Sequence, residues 1–304
     1  MQTGGPGFVF LYMTSRVTIV GPGLLGGSLA LALKARTGAH VTVWARRAES
    51  VAQVEARGCA DAATSDLTEA VRKADTVVLC TPVGTMPALC QQMNTTLPSG
   101  ALVVDVGSVK APVVNDLTPL FTAPTQFVGC HPMAGSEQTG LAAARVDLFE
   151  GAVCIVTPQI STPPTAVTNA EAFWQSVGCT TRRLDPQVHD EVVAWISHFP
   201  HLLAAALVQT VAEQLPAAFD FCGPGFRDTT RVAGGPPDMW TEILAENRAA
   251  VRTAIDGLIE KLRGLSTLLA DAPSAERDSL MNQLLSQAKA QRDRLRLPKT
   301  PSDV

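Results

Sequence analysis

The chain has 304 residues, 46% hydrophobic and 17% charged, a balance that marks a globular protein and excludes a disordered one. A net charge of -4 leaves no basic stripe for nucleic acid. Apolar runs are expected to be broken by Gly, Pro or charge short of the ~18 residues of a membrane span, and the length suits two domains, each with its own core.

Before Ser15 the chain carries Phe8-Val9-Phe10-Leu11-Tyr12 without a basic flank or a cleavage site. Residues 1–15 therefore read as an N-terminal extension, not a signal peptide, and are expected to be poorly ordered. Val17-Thr18-Ile19-Val20 is a predicted strand, followed directly by Gly21-Pro22-Gly23-Leu24-Leu25-Gly26-Gly27-Ser28 and a helical run from Leu29. This is G-x-G-x-x-G in the strand–helix setting that dinucleotide binding requires. Gly21 makes the turn, Gly23 admits the pyrophosphate, Gly26 lets helix and strand pack, and Leu24 and Leu25 open the helix whose amino end faces the phosphates. A glycine-rich turn of another α/β protein is the bland alternative.

Strand two, His40–Trp44, ends in Ala45-Arg46-Arg47, with no carboxylate before Glu49. A cofactor without a 2′-phosphate usually meets an acidic residue there. Arg46 or Arg47 could instead hold that phosphate, so NADP is expected in preference to NAD, with NAD as the other option. Strand three, Thr76–Cys80, leads into Thr81 and Pro82 over the cofactor edge. Strand four, Ala101–Asp105, leads into Val106-Gly107-Ser108-Val109-Lys110. A further strand ends at Gly129, before His131; Ala152–Val156 and a helix from Ala166 to Val177 follow. Buried strands alternating with helices predict a Rossmann-type, doubly wound, mostly parallel sheet over residues 16–186.

In Gly129-Cys130-His131-Pro132-Met133-Ala134-Gly135-Ser136-Glu137, Pro132 bars helix and pushes His131 toward extended geometry at a sheet edge where ligands bind. A surface turn is the bland reading of a lone His-Pro. The seven cysteines are scattered without a C-x-x-C pair, which suits reduced core thiols in a cytoplasmic protein. A thiol nucleophile or metal ligand at Cys130 is the minor alternative.

From Gln187 the strand signals stop, and residues 187–304 read as a mainly helical substrate and dimerisation domain. It holds helices near Glu191–Ile196 and Leu202–Leu215, a break at Gly223-Pro224-Gly225, one or two helices over Met239–Leu269, and a last one over Ala275–Leu297. Ser197-His198-Phe199-Pro200-His201 sets two imidazoles at a helix start, and Phe226-Arg227-Asp228-Thr229-Thr230-Arg231 sets two guanidinium groups near an aspartate. Met239-Trp240 and Asn247 follow. Each cluster alone has a structural reading.

In family order, G-x-G-x-x-G-G-S, D-x-G-S-V-K, H-P-M-A-G-S-E, S-H-x-P-H, G-F-R-D-T-T-R and M-W resemble the prephenate/arogenate dehydrogenase family of tyrosine biosynthesis, from about Val17 to Leu269. The resemblance implies a Rossmann domain with a helical dimerisation domain, and oxidative decarboxylation of prephenate or arogenate with hydride transfer to NAD(P). It implies His131 as general base, Ser108 holding the hydroxyl or the imidazole, His201 holding substrate and Arg231 on the ring carboxylate. Glu137 becomes a gating carboxylate and Trp240 a wall of the site; no metal is needed. The implied protein is a cytoplasmic homodimer whose partner is a small molecule, neither nucleic acid nor membrane. The rivals are another two-domain dehydrogenase acting on hydroxyacids, and a non-catalytic dinucleotide sensor.

Overall fold

The computed structural model describes residues 15–270 and 272–295, so the predicted extension up to residue 14 and the predicted end of the last helix at 296–297 lie outside the described residues. The strands are β1 (Arg16–Val20), β2 (His40–Trp44), β3 (Ala62–Thr64), β4 (Thr76–Leu79), β5 (Leu102–Asp105), β6 (Gln126–Pro132), β7 (Val153–Thr157) and β8 (Thr180–Arg183). They form one sheet in the order β3-β2-β1-β4-β5-β6-β7-β8. Pairing is parallel up to β6; β7 runs antiparallel to β6, and β8 parallel to β7.

The central strands are apolar along their length because both faces are covered. In β1, Val17 and Ile19 enter one core while Val20 enters the other. Val78 likewise opposes Val77 and Leu79 on β4. That is the two-residue alternation of a strand feeding two cores. The strands the sequence does not announce are the edges: β3 has three residues, and β8 is Thr-Thr-Arg-Arg, largely exposed. Short or charged edges resist further pairing, and for the same reason carry no apolar signal.

The covering helices are α1 (Leu24–Arg36), α2 (Ala48–Arg57), α3 (Leu67–Val71), α4 (Met86–Met93), α5 (Ala111–Leu117) and α6 (Pro164–Ser176). Then follow α7 (Pro186–Val193), a π turn over Ala194–His198, α8 (Phe199–Gln214), α9 (Pro224–Thr230), α10 (Pro237–Glu246), α11 (Arg248–Ala270) and α12 (Ala275–Asp293). Residues up to Arg248 form one compact unit and those from Ala249 a second. In the second, Ser274 caps α12 by accepting the Arg277 N–H at 3.1 Å, and Leu262, Leu269, Leu280 and Leu285 are exposed.

The structure departs from two expectations. His198 and His201 do not open a helix: α7, the π turn and α8 make one continuous helical stretch, and Pro200 follows the π turn, whose wider winding accommodates a residue without an N–H. Within that stretch, Pro186–Gln214, an 18-residue window has mean hydropathy 1.4, long and apolar enough by composition to cross a membrane, contrary to the expected interruption. The buried positions of the stretch include His189, Asp190, His198 and His201.

All seven cysteines are free. Burial pushes the Cys90 and Cys179 thiols up to about 12, so they act as small apolar fillers. Cys130 is fully buried in the sheet core with Sγ 3.5 Å from the Val128 carbonyl, and the alternation of β6 turns it away from the face of His131.

Candidate active site

The site lies in the first unit, and its foundation is the turn between β1 and α1. Gly21 has φ +108°, a left-handed conformation that favours glycine. A Cβ on Gly26 would stand 2.0 Å from the Gly21 carbonyl oxygen, so α1 passes the turn at a distance no side chain permits. A Cβ on Gly23 would meet nothing within 4 Å, so its glycine leaves open space beside the helix amino end. Leu24 and Leu25 rest half-buried on the core, and α1 has no side-chain cap for its first N–H groups. Past β4, the Thr81 hydroxyl is buried with no hydrogen-bond partner among the described residues, and Pro82 leads into a 3₁₀ turn over Val83–Thr85. An open glycine edge, uncapped helix N–H groups and an orphaned hydroxyl fit a dinucleotide. Arg46 and Arg47 are exposed beyond β2.

The strand bearing His131 does not stop at Gly129. It continues to Pro132, because Gly129–Pro132 pair with Cys154–Thr157 of β7. Pro132 holds His131 extended, as expected, and places the imidazole at the carboxyl end of β6, 7% exposed. Next to it, Asp105 accepts the Cys130 N–H at 2.9 Å and the Gly107 N–H at 2.8 Å, and it pairs with the ammonium of Lys110. Both side chains of that ion pair are fully buried. Asp105 therefore ties the loop carrying Ser108 to the strand carrying His131.

The helical stretch supplies the opposite wall. His189 Nε2 lies 2.9 Å from His131 Nδ1, and His189 Nδ1 lies 2.8 Å from the Asp190 carboxylate. Asp190 also accepts the Lys110 and Ala111 N–H groups at 2.7 and 2.9 Å. A regular α-helix would set His189 and His201 about 120° apart round its axis; the π turn between them winds less per residue and removes part of that angle. His201 stacks on Trp240 with ring centroids 3.6 Å apart, and His198 meets the same indole edge-on at 6.2 Å. Asn247 lies 3.1 Å from His198 Nδ1. His198 Nε2 and His201 Nδ1 are buried without partners among the described residues, which a polar ligand beside Trp240 would satisfy.

Burial drives the imidazoles neutral. It holds His131 well below the usual histidine range, aided by repulsion from His189, Lys110 and His198. It lowers His189 against the opposing hydrogen bond to Asp190, pushes His198 down to about 4, and lowers His201. A neutral imidazole at His131 can accept a proton throughout the physiological range.

Arg231, just past α9, does not pair with Asp228 of its own segment. Its Nη1 reaches Glu137 at 3.0 Å, both side chains being exposed. The sequence reading missed the roles of His189, Asp190, Asp105 and Lys110. An adjacent His-Asp pair leading into a largely apolar helical run is the only sequence feature that marks the first two of them.

The family model described as prephenate dehydrogenase, nucleotide-binding domain, matches residues 29–182, and the one described as prephenate dehydrogenase, dimerization domain, matches residues 185–286. The cyclohexadienyl dehydrogenase of Zymomonas mobilis is 33% identical over 294 residues, 95% of this chain and 97% of that protein. The prephenate dehydrogenase of A. aeolicus, solved in complex with hydroxyphenyl propionate and NAD+, superposes with a TM-score of 0.84 at 32% identity, covering 91% of this chain and 97% of that one. The arogenate dehydrogenase of Synechocystis superposes with a TM-score of 0.77 at 30% identity, covering 91% and 99%. With both domain models matched in order, the chain belongs to the prephenate dehydrogenase family.

Proposed function

We propose that this chain oxidatively decarboxylates prephenate to 4-hydroxyphenylpyruvate, or arogenate to tyrosine, using a nicotinamide dinucleotide. The observation that carries the reading is the buried, neutral His131 at the carboxyl end of β6, in the same unit as the unsatisfied nitrogens of His198 and His201 around Trp240. Nicotinamide supplies the hydride acceptor when bound. His131 takes the ring hydroxyl proton as C4 loses hydride and gains carbonyl character. The C1–carboxylate bond then breaks, carbon dioxide departs, and its electron pair completes the aromatic ring. The phenolate oxygen so formed takes the proton back from His131, which leaves the base ready for another turnover.

Ser108 holds the hydroxyl or the imidazole in line, and His201 and Trp240 hold the ring. Arg231 pairs with the ring carboxylate, for which a guanidinium fork suits better than an ammonium. Glu137, bonded to Arg231, gates that cation. A hydroxyacid dehydrogenase would be expected to carry a lysine on the helix opening the substrate site; residues 186–214 contain none.

In this reading residues 16–186 bind the cofactor, through Gly21, Gly23, Leu24, Leu25, Gly26, Thr81 and Pro82, and residues 187–304 bind substrate and dimerise. The exposed Trp195, Ile196, Leu203 and Leu207 support a homodimer, and the chain works in the cytoplasm. NADP is preferred over NAD, Arg46 or Arg47 taking the 2′-phosphate where no carboxylate would repel it. Nicotinamide reduction followed by absorbance with prephenate and with arogenate tests the activity. Turnover with one or both is expected, and turnover with neither contradicts the reading.

A further inference from the structure

We propose that His189 and Asp190 are positioning residues that select the reactive nitrogen of His131, and that the Asp190 carboxylate also seats the Ser108 loop. The inference rests on the reading of His131 as the base. Asp190 Oδ1 faces the N–H of Lys110 and Nδ1 of His189, and its Oδ2 faces the N–H of Ala111. Each backbone partner is a donor, so the carboxylate is an acceptor on both oxygens, and His189 carries its proton on Nδ1. His189 Nε2 is then a bare lone pair, 2.9 Å from His131 Nδ1. Two lone pairs cannot face each other at that distance in a buried site, so His131 must donate from Nδ1. A neutral His131 protonated on Nδ1 has its lone pair on Nε2, the nitrogen left to take a substrate proton.

The same carboxylate fixes the other half of the constellation. Lys110 caps α5 and Ala111 begins it, and Ser108 precedes them by two and three residues. A shift of Asp190 would move the Ser108 loop and the His189 ring together. Asn247 steadies this point from α10's end, donating at 2.7 Å to the Asp190 carbonyl. The two imidazoles meet edge to face, with centroids 5.1 Å apart at 63°.

The test uses the full chain with ¹⁵N-labelled histidine and reads the His131 ring nitrogens, assigned by their loss in His131→Asn, alongside kcat and KM. Wild type is expected to show the Nδ1–H tautomer. His189→Phe keeps an aromatic ring at this position but removes the acceptor. It should shift His131 toward Nε2–H and lower kcat about 10²-fold, with cofactor KM changed less than about twofold. His189→Gln, whose side-chain oxygen can accept the same N–H, should restore the Nδ1–H tautomer and most of kcat. An Nε2–H tautomer in wild type overturns the proposal, as does a His189→Phe protein that keeps both Nδ1–H and full kcat. If His189→Phe does not fold, wild type and His189→Gln decide: loss of Nδ1–H in the glutamine variant overturns the proposal. Full turnover in His131→Asn would instead refute the base reading, a result separate from the tautomer measurement.

Discussion

The Glu242 carboxylate accepts the backbone N–H of Gly84 at 2.5 Å, joining α10 to the turn that follows β4. Ile243 is buried in the same core on which Val83 and Trp240 pack. The helix carrying Trp240 and the turn that follows Thr81-Pro82 are thus one mechanical piece. Glu242→Ala should raise KM for the dinucleotide about fivefold, the equivalent of ~1 kcal/mol for one lost hydrogen bond. Glu242→Gln, which retains an acceptor, should stay near wild type. Equal cofactor KM in all three proteins would separate the helix from the cofactor turn.

Under the proposed function, Glu137, which pairs with Arg231 at 3.0 Å, competes with the substrate carboxylate for one guanidinium. Arg231→Ala should raise the substrate KM about 10–100-fold, as expected for loss of a charge-assisted hydrogen bond. Glu137→Gln should lower that KM, because Arg231 no longer has an internal anion to leave. Steady-state kinetics with varied prephenate or arogenate checks both signs. A higher KM in Glu137→Gln would give the glutamate a direct role on substrate.

Four buried imidazoles make the fold acid-sensitive. An unfolded histidine takes up its proton near pH ~6.5, whereas burial lowers His131, His189 and His201 and pushes His198 down to about 4. Above the unfolded value neither state is protonated and there is no penalty. Below it the unfolded chain binds more protons, so stability falls with pH, by at most ~1.4 kcal/mol per pH unit per histidine. For His198 the loss is complete near pH 4. Denaturant midpoints recorded from pH ~7 to ~5 should fall, and His198→Gln should flatten the decline. A constant midpoint over that window would mean that these rings bind protons in the native state as readily as in the unfolded chain.

Arg46 is the candidate reader of the 2′-phosphate. Arg46→Ala should reduce kcat/KM with NADP by about tenfold, in line with one lost charge-assisted pair, and leave NAD nearly unchanged. A clear NAD preference in wild type would mean that both Arg46 and Arg47 point to solvent.

The strands that position the site were legible because each central strand is a continuous apolar run between turn signals, as β4 and β5 are. β3 and β8 were not, since edge strands bury little. His131 was legible through Pro132, a local constraint. His189 and Asp190 were not, because their meaning depends on partners far along the chain, Asp190 reaching α5 from 79 residues away. The joining of two expected helices into one was hidden by Pro200, whose usual reading as a helix breaker is overridden by the preceding π turn. Arg231 was read toward a substrate anion, and its contact with Glu137 is an internal partner that spacing alone does not reveal.

The most direct measurement is the turnover of His131→Asn with saturating dinucleotide and substrate, set beside its dinucleotide Kd. The account predicts kcat lowered by ~10²–10⁴-fold, the usual cost of removing a general base, with Kd for the dinucleotide unchanged. A variant that turns over at the wild-type rate would contradict the assignment of His131 as the base.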